Sequence, residues 1–574
     1  MDNVEEEVDF TKDVEDWDYI QSVQFQEHAK EEKETQQPET TVLLGELLND
    51  HKGAKNLIEE VYATIVPASR FKEPEVQQAM REEENKWLGY GAYEVVPDVG
   101  QERLTMRWVI NQKEQADGQK TKYKARLCVR GYQENIVPRS DSPTAAKNLL
   151  KASLAVAANE GWRLENLDVT SAFLQGADLE REIYVLPPKE IQQEGQLWKL
   201  KKGAYGLYDA ARMWFLAVVQ SLEQLQMESI VGDNAVFYYR ENGKTQGIIN
   251  VHVDDFITMG TENFYKNVVD KLKTMFNFSK IERGEDGFRF TGVDIKTTSD
   301  GITMNQDVYA SCIQELEIPK GANSDLLNKE QFKQFRGLTG KLIWLSEQTR
   351  PDLSFPSLEM SCKNRTATIQ DMKDANKIVK QAKSGTSEIK FGRIGKFEDL
   401  KIMAFSDAAH LNTDNKCRGT AGRIIYLSND DETRVSPLAW KSKTIPQVCK
   451  SAKAAETRAL DICADEAIFV ARVLNEIITG KKGQSKEKQM RVTIKIDSKG
   501  LKDTLNSTHQ IEEKMLRPVV QNIKDLLTRG FIESVKWVPT EECQADLLTK
   551  KGSKCKEEVI KIMKTGNNRG RFES

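Results

Sequence analysis

The chain has 574 residues, enough for three or four domains, and its 83 basic and 88 acidic side chains give a net charge of −5. It contains no apolar run of 18 residues, and its acidic N-terminus lacks the basic and apolar blocks of a signal peptide, so neither a membrane span nor secretion is indicated. Eight scattered cysteines without a CxxC pair argue against a zinc site or disulfide framework and fit a reduced intracellular protein.

The charge is unevenly distributed along the chain. Residues 1–40 hold 14 acids and three lysines, a net charge of −11, so the remainder carries +6. This composition predicts an acidic, disordered tail over residues 1–68. The mildly basic remainder suits phosphate contacts, although +6 over more than 500 residues is also an ordinary surface. The basic residues 553–574 are predicted to form a frayed C-terminal tail.

Apolar spacing predicts the elements of the first half in chain order. A helix and then a strand are expected over 71–95, strands with basic edges up to 133, and an amphipathic helix over 143–160. A strand ends at Asp168, and Thr170 or Ser171 is expected to cap a helix after it. A hairpin spans 247–260, thumb-like helices occupy 262–320, and residues 325–390 are mostly helical.

Two adjacent aspartates, Asp254 and Asp255, interrupt the apolar hairpin. Two carboxylates placed there repel each other and lose hydration, a cost that a divalent metal offsets. If the strand that ends at Asp168 lies beside the hairpin, three carboxylates form one cluster able to hold two metal ions. Taken singly, each feature also fits a bland alternative, a surface Asp-Asp turn or an ordinary acid at a strand end.

The second half shows another pattern. Three consecutive strands, a long helix over 451–478, and then alternating strands and helices predict an α/β or α+β layer domain over 399–552. Four acids lie at strand ends or on helices of this pattern, and each alone is more readily a surface acid. They are Asp407, Glu456, Asp497 and Asp546.

Eleven motifs together resemble, in family order, the reverse transcriptase and RNase H part of a copia-type retrotransposon polyprotein. They cover roughly residues 71–552 and include KYKARLCVRGYQ (122–133), LDVTSAFLQG (167–176), LWKLKKGAYGLYDAARMWF (197–215), VHVDDF (251–256), FTGVDI (290–295), RGLTGKLIWLSEQTRPDLSF (336–355), FSDAAH (405–410), LAWKSK (438–443), AAETRAL (454–460), KIDSKG (495–500) and QADLLTK (544–550).

The resemblance implies a multidomain α+β protein. A right-hand polymerase with fingers, palm and thumb would span 71–320, a helical connection segment 321–398, and an RNase H-like α/β domain 399–552. The implied function is RNA-directed DNA polymerase plus ribonuclease H acting on RNA–DNA hybrids. Implied partners are an RNA template, a DNA primer, the hybrid and deoxynucleoside triphosphates. The expected location is cytoplasmic, in a virus-like particle, and also nuclear.

In the polymerase part, the resemblance implies that Asp168, Asp254 and Asp255 are catalytic and bind two Mg²⁺, with Mn²⁺ as an alternative. Phe173 resembles the steric gate against a 2′-hydroxyl, although a plain core role is the competing interpretation. The basic side chains of the strand motif would contact triphosphate or template, or else form a solvated face. They are Lys124, Arg126 and Arg130.

In the RNase H part, the four acids named above would be both catalytic and metal-binding, again with two Mg²⁺. Trp440, Lys441 and Lys443 are further candidates for contacts with the hybrid backbone, with Trp440 equally consistent with a core position.

Several positions depart from the family pattern. His252 stands where an aromatic residue is usual, and Asp209 and Ala211 replace glutamine and proline. Asp209 beside a triphosphate would be unfavourable unless it pairs with Arg212. His509 is displaced by one position, so no catalytic role is assigned to it.

Two alternative functions remain open on sequence alone. One is a catalytically impaired remnant that only binds nucleic acid, and the other is an inert interaction fragment whose acidic tail docks a basic partner. The chain shows no aspartic-protease triplet, integrase zinc pattern or zinc knuckle, so it is expected to be a polyprotein fragment or a solitary reading frame.

Overall fold

The computed structural model of this protein describes residues 63–113, 122–135, 138–363, 366–385, 388–410, 418–482, 490–508, 511 and 513–568. Most of the predicted acidic tail lies outside the described residues, and so does His509. The predicted end of the tail at residue 68 is wrong, because strand β1 (Ala63–Ile65) pairs with residues 111–113 and Val66 is buried.

The first sheet has six strands in the order β1-β3-β6-β7-β2, with β4 also paired to β3. Helix α1 (Pro74–Gly89) packs against β4 through one apolar face that includes Val76, Met80 and Trp87, as the sequence spacing predicts. The other strands of this sheet are β2 (Tyr93–Pro97), β3 (Leu104–Lys113), β4 (Lys122–Val129), β6 (Tyr184–Leu186) and β7 (Gln196–Leu200).

The second sheet, called here the hairpin sheet, contains the predicted hairpin and has the order β12-β5-β11-β10-β9-β8. Helix α2 (Lys147–Glu160) covers one of its faces and α3 (Ala210–Gln224) contributes to the core on the other. The strands are β5 (Arg163–Val169), β8 (Met227–Ile230), β9 (Asp233–Glu241), β10 (Lys244–His252), β11 (Asp255–Gly260) and β12 (Phe278–Arg283).

The thumb-like helices predicted over 262–320 are largely wrong. A short helical stretch made of α4 (Glu262–Phe264), a π-helix (Tyr265–Val269) and α5 (Asp270–Met275) is followed mainly by strands, until α6 (Asp307–Cys312). Residues 288–305 alternate buried and less buried side chains, as expected of strands with one covered face. They form a four-stranded meander of β13 (Phe288–Phe290), β14 (Val293–Thr298), β15 (Gly301–Asn305) and β16 (Ile389–Phe391).

The predicted helical connection contains three helices, α7 (Lys329–Gln348), α8 (Ser354–Cys362) and α9 (Ile369–Ser384). Capping boxes begin α7 at Asn328 and α9 at Thr368, because each of these side chains accepts from the backbone three residues on.

The C-terminal sheet confirms the predicted strand pattern and has the order β19-β18-β17-β20-β21, with β20 parallel to both neighbours. The long helix α10 (Ala452–Thr479) packs on β17. The other elements are β17 (Lys401–Ala409), β18 (Thr420–Ser428), β19 (Val435–Thr444), β20 (Arg491–Ile496), β21 (Ser534–Trp537), α11 (Lys499–Asn506) and α12 (Arg517–Thr528).

Asp546 lies on a helical segment, a five-residue 3-10 helix (Gln544–Leu548). The prediction of a frayed C-terminal tail is wrong. The predicted frayed tail contains helix α13 (Lys556–Thr565), which buries Val559, Ile562 and Met563 in the core. Apolar residues at spacings of three and four explain this helix, and the basic residues occupy its other face.

Helix α2 joins the hairpin sheet to the C-terminal sheet. It was predicted to be amphipathic, but every residue from 149 to 159 is buried. One face packs against the hairpin sheet, and α2 also contacts β19 and α10. The two sheets therefore share one hydrophobic cluster.

No described helix is long and apolar enough to cross a membrane. The seven cysteines in the described part of the chain are all free.

Two candidate carboxylate sites

The hairpin site consists of Asp168, Asp254 and Asp255. Strand β5 lies antiparallel to β11, and Asp168 is the direct Cα partner of Asp255. Directly opposed residues of neighbouring strands project to the same face of a sheet. The backbone N–H of Val169 donates to the Asp254 carbonyl over 2.8 Å, which fixes the hairpin turn against the end of β5. The adjacency assumed from sequence is therefore confirmed.

The turn of the hairpin is held in an unusual backbone conformation. Val253 has a φ of 54°, in the left-handed region that β-branched residues rarely adopt. The indole Nε1–H of Trp214, on α3, donates to the Val253 carbonyl over 2.6 Å, and the Trp214 ring stacks on Phe256. These contacts offset the local strain and hold the two aspartates in place.

Asp168 is also oriented by a neighbouring strand. The Ser279 hydroxyl, on β12, donates to Asp168 Oδ2 over 2.6 Å. The predicted helix after Asp168 is only a 3-10 helix (Ala172–Gln175), and Ser171, with a φ of 49°, makes no side-chain cap. The predicted cap is therefore wrong.

The ring of Tyr205 lies between Phe173, the predicted gate residue, and Arg126 on the predicted basic strand. Phe173 packs edge-on against Tyr205, with ring centroids 5.0 Å apart, and the Arg126 guanidinium lies 5.6 Å from the Tyr205 centroid. Phe173 is half-buried between two hydrophobic clusters, so a core contribution and an exposed edge coexist. Lys124 is exposed, and the backbone N–H of Arg130 donates to the Thr105 carbonyl.

The departures from the family pattern are accommodated by partners that the sequence did not reveal. Asp209 is buried and pairs with Arg181 through both guanidinium Nη atoms, whereas Arg212 pairs with Asp141. The condition that Asp209 be paired is therefore met by Arg181 and not by Arg212. His252 is buried and meets the Phe290 ring edge-on.

The four-acid site consists of Asp407 near the end of β17, Glu456 in the first turns of α10, Asp497 just after β20, and Asp546 on the 3-10 helix. Oxygens of Asp407 and Asp497 and the Sγ of Cys543 lie within 4.8 Å of one another. The structure thus brings together residues that are 136 positions apart in sequence.

Electrostatic coupling links the members of the four-acid site. Burial, followed by the charges of Asp407 and Asp497, raises the pKa of Glu456 to about 9. Burial raises the pKa of Asp407 to about 6, with further raising by Asp497 and Asp546. Carboxylates that disfavour one another's ionisation in this way fit a bound divalent cation, because its charge would restore the ionised forms.

Three groups in the four-acid site were missed by the sequence interpretation. The Thr549 hydroxyl donates to Asp407, and Lys550 forms an ion pair with Asp546. Cys543 contributes a buried thiol whose pKa is raised by burial. Threonine and lysine lie inside the QADLLTK motif, but nothing in the linear sequence indicates which acids they contact.

The three candidates for contacts with a hybrid backbone lie on β19. Trp440 is a core residue, because it is buried and its Nε1–H donates to the Ser346 carbonyl over 2.7 Å. Lys441 pairs with Glu347, and Lys443 is partly buried.

Comparisons with known proteins add an independent observation. Residues 90–325 match the family model described as reverse transcriptase (RNA-dependent DNA polymerase). The retrovirus-related Pol polyprotein from transposon RE2 of Arabidopsis thaliana is 27% identical over 432 residues, covering 71% of this chain and 29% of the relative. The corresponding polyprotein from transposon TNT 1-94 of Nicotiana tabacum is 23% identical over 522 residues, covering 85% of this chain and 37% of the relative.

The chain therefore spans less than two fifths of the length of these relatives. Among solved structures, a foamy viral protease–reverse transcriptase in complex with double-stranded DNA matches with a TM-score of 0.49 and 12% identity. That match covers 81% of this chain and 69% of the viral chain.

Proposed function

We propose that this chain is a member of the copia-type retrotransposon Pol polyprotein family and that it is an RNA-directed DNA polymerase that also cleaves the RNA strand of RNA–DNA hybrids. The observation that carries the proposal is the register of Asp168 opposite Asp255 beside the Asp254 turn, inside the segment that matches the reverse transcriptase model. The domain boundaries 71–320, 321–398 and 399–552 are retained as part of the proposal, and α13 extends the last domain beyond residue 552.

In the polymerase, Asp168, Asp254 and Asp255 would hold two Mg²⁺, with Mn²⁺ as the alternative. The bound ions would lower the pKa of the primer 3′-hydroxyl and stabilise the charge of the departing pyrophosphate. The exposed edge of Phe173 would exclude a 2′-hydroxyl and so favour deoxynucleoside triphosphates over ribonucleotides.

The basic strand of the polymerase would face the phosphates. Lys124 and Arg126 alternate with the buried Ala125 and Leu127 on β4, so both project to the outer face. Their positive charges, with that of Arg130, would neutralise triphosphate or template phosphates.

In the ribonuclease, the four-acid site would hold a second pair of Mg²⁺ that activates a water molecule against the RNA phosphodiester. Asp407, Glu456, Asp497 and Asp546 supply oxygen ligands, which Mg²⁺ prefers. Substrate choice would rest on the 2′-hydroxyl and the shape of the hybrid.

A catalytically impaired remnant is the alternative function. Asp209 was one reason to consider it, and the Arg181–Asp209 ion pair weakens that reason because it neutralises the buried carboxylate. We propose a virus-like particle in the cytoplasm, together with the nucleus, as the place of action, in keeping with the family.

The experiment uses two assays on one preparation: extension of a primer on homopolymer RNA, and cleavage of a labelled RNA–DNA hybrid, both with Mg²⁺. Asp254→Asn should lose primer extension and keep hybrid cleavage, and Asp407→Asn should do the reverse, since the two sites share no ligand. Asp286→Asn and Asp503→Asn, which alter exposed acids in the two halves of the chain, serve as matched controls.

A wild-type protein without either activity would contradict the proposed enzyme and favour the remnant. Full primer extension by Asp254→Asn would contradict the assignment of the hairpin site. Loss of both activities in Asp407→Asn, with circular dichroism unchanged, would show that the two sites are coupled.

A further inference from the structure

The segment 540–549, which follows β21, carries two threonine hydroxyls that donate hydrogen bonds to two carboxylates of the four-acid site. Thr549 Oγ1 donates to Asp407 Oδ2, and Thr540 Oγ1 donates to Asp497 Oδ2 over 2.9 Å. A threonine hydroxyl is a weaker metal ligand than a carboxylate. Any effect of these two threonines on metal binding would therefore act through the aspartates that they contact.

Thr549 reaches Asp407 because a glycine makes room for it. Gly422, on β18, is the direct partner of Asp407 in the sheet. A Cβ at Gly422 would lie 2.7 Å from Thr549 Cγ2 and 2.9 Å from the Ala545 carbonyl, too close for either contact. Thr549 is completely buried, and its backbone N–H donates to the Asp546 carbonyl over 3.3 Å. The same residue therefore connects two of the four acids.

Asp497 is held from two directions by the same segment. Besides the Thr540 hydroxyl on its carboxylate, the indole Nε1–H of Trp537 donates to its backbone carbonyl over 2.9 Å. Asp497 follows the last residue of β20, where the ladder no longer fixes the chain. These two bonds replace the missing ladder contacts and restrict the rotation of the Asp497 side chain.

We propose that Thr549 and Thr540 are positioning residues of the ribonuclease, an inference that rests on the proposed hybrid-cleaving function. Each hydroxyl donates to Oδ2 of its aspartate and so restricts the rotation of a carboxylate that would hold the metal. A carboxylate fixed by a neighbouring donor loses less conformational freedom when it binds a cation, and loss of such a partner typically weakens metal affinity about 10–100-fold.

The test compares Thr549→Val and Thr540→Val with the corresponding serine variants. Valine has the shape of threonine without the hydroxyl, and serine restores the hydroxyl. Mn²⁺ binding is measured by electron paramagnetic resonance in a background that carries Asp254→Asn and Asp255→Asn, so that the hairpin site keeps only one of its three carboxylates and the four-acid site keeps all of its own. Thr339→Val is the matched control, because the Thr339 hydroxyl is buried and donates only to a helix carbonyl.

Both valine variants should bind Mn²⁺ about 10–100-fold more weakly, and both serine variants should recover most of the affinity. In the otherwise wild-type chain, hybrid cleavage by the valine variants should require correspondingly more Mg²⁺, while primer extension is unchanged. Because Thr540 is exposed, Thr540→Val tests the idea even if Thr549→Val fails to fold.

The inference would be overturned if Thr549→Val and Thr540→Val bound Mn²⁺ as tightly as Thr339→Val does and required no more Mg²⁺ for hybrid cleavage. A serine variant as weak as its valine counterpart would also overturn it, since the hydroxyl would then not be the active group. If the chain with an intact four-acid site neither binds Mn²⁺ there nor cleaves hybrids, the proposed ribonuclease function fails instead.

Discussion

Lys151 offers a sharp test of how α2 connects the two halves of the protein. Its side chain is 2% exposed, and Nζ donates to the Glu347 carbonyl over 2.9 Å and lies 4.0 Å from the Trp440 ring centroid. Burial, together with the charge of Lys147, lowers the pKa of Lys151 from 10.5 to about 7, although Glu347 and Glu466 act in the opposite direction. The informative substitution is Lys151→Met, which nearly keeps the length of the side chain and removes the amine.

The lowered pKa of Lys151 determines how the free energy of unfolding changes with pH. The unfolded chain holds the Lys151 proton up to pH 10.5 and the folded chain only up to about pH 7, so protonation favours unfolding. The penalty is fully present below pH 7 and disappears as the pH rises through 10.5. It amounts to about 5 kcal/mol at pH 6 and about 2 kcal/mol at pH 9, since one pKa unit corresponds to about 1.4 kcal/mol.

Lys151→Met also loses the hydrogen bond to the Glu347 carbonyl, about 1.5 kcal/mol, and, only at a pH where the amine is charged, the cation–π contact with Trp440. The variant should therefore be more stable than the wild type by about 3 kcal/mol at pH 6, and the two should become equal near pH 9.5. At pH 10 the wild type should be the more stable protein. The direction of this crossover, more than its magnitude, is the expected result.

The assay is urea unfolding of wild type and variant at each pH unit from 6 to 10, followed by tryptophan fluorescence. Lys377→Met, on α9, is the control, because its exposed ion pair with Asp374 contributes less than about 1 kcal/mol. A difference between Lys151→Met and wild type that stays constant from pH 6 to pH 10 would refute the reasoning.

Three further predictions concern the two sites. Phe173→Val should raise the ratio of ribonucleotide to deoxyribonucleotide incorporation by about 10-fold or more, and an unchanged ratio in an active variant would leave Phe173 a core residue only. Arg181→Met should lower the free energy of unfolding by about 2 kcal/mol, because it leaves the buried Asp209 carboxylate unpaired. Arg212→Met should lower it less, because the Arg212–Asp141 pair is more exposed, and equal losses in urea titrations would contradict this reasoning. Gly422→Ala should cost about 1–3 kcal/mol and impair hybrid cleavage but not primer extension, and normal cleavage would show that the contact with Thr549 relaxes easily.

The hairpin site could be predicted in some detail from sequence because its geometry is local. Period-two alternation fixed the strands, and the double aspartate marked the turn, so only the adjacency of β5 had to be assumed. The strand pattern of the C-terminal sheet was predictable for the same reason. The predicted fold class, a multidomain α+β protein, is confirmed by the four sheets and their helices.

What the sequence could not provide is the pairing of groups that meet only after folding. Arg181 pairs with Asp209 at a sequence separation of 28 residues, and Thr549 contacts Asp407 at a separation of 142 residues. No periodicity encodes such contacts, and the basic residue nearest to Asp209 in sequence, Arg212, pairs with Asp141 instead. Helix α13 was missed for a different reason, since its basic composition masked an apolar face that its spacing does contain.

The position of α2 inside the shared cluster has a consequence for how the protein is made. Residues 147–160 cannot complete their burial until β19 and α10, which ends at Thr479, have left the ribosome. At about 5–20 residues per second, that delay is on the order of 15–60 s. During this interval α2, which covers the hairpin sheet, lacks the apolar contacts that β19 and α10 supply, so this part of the chain is exposed to misassembly until residues 435–479 have been synthesised. Strand β19 and helix α10 thus act as folding partners for α2 and the hairpin sheet.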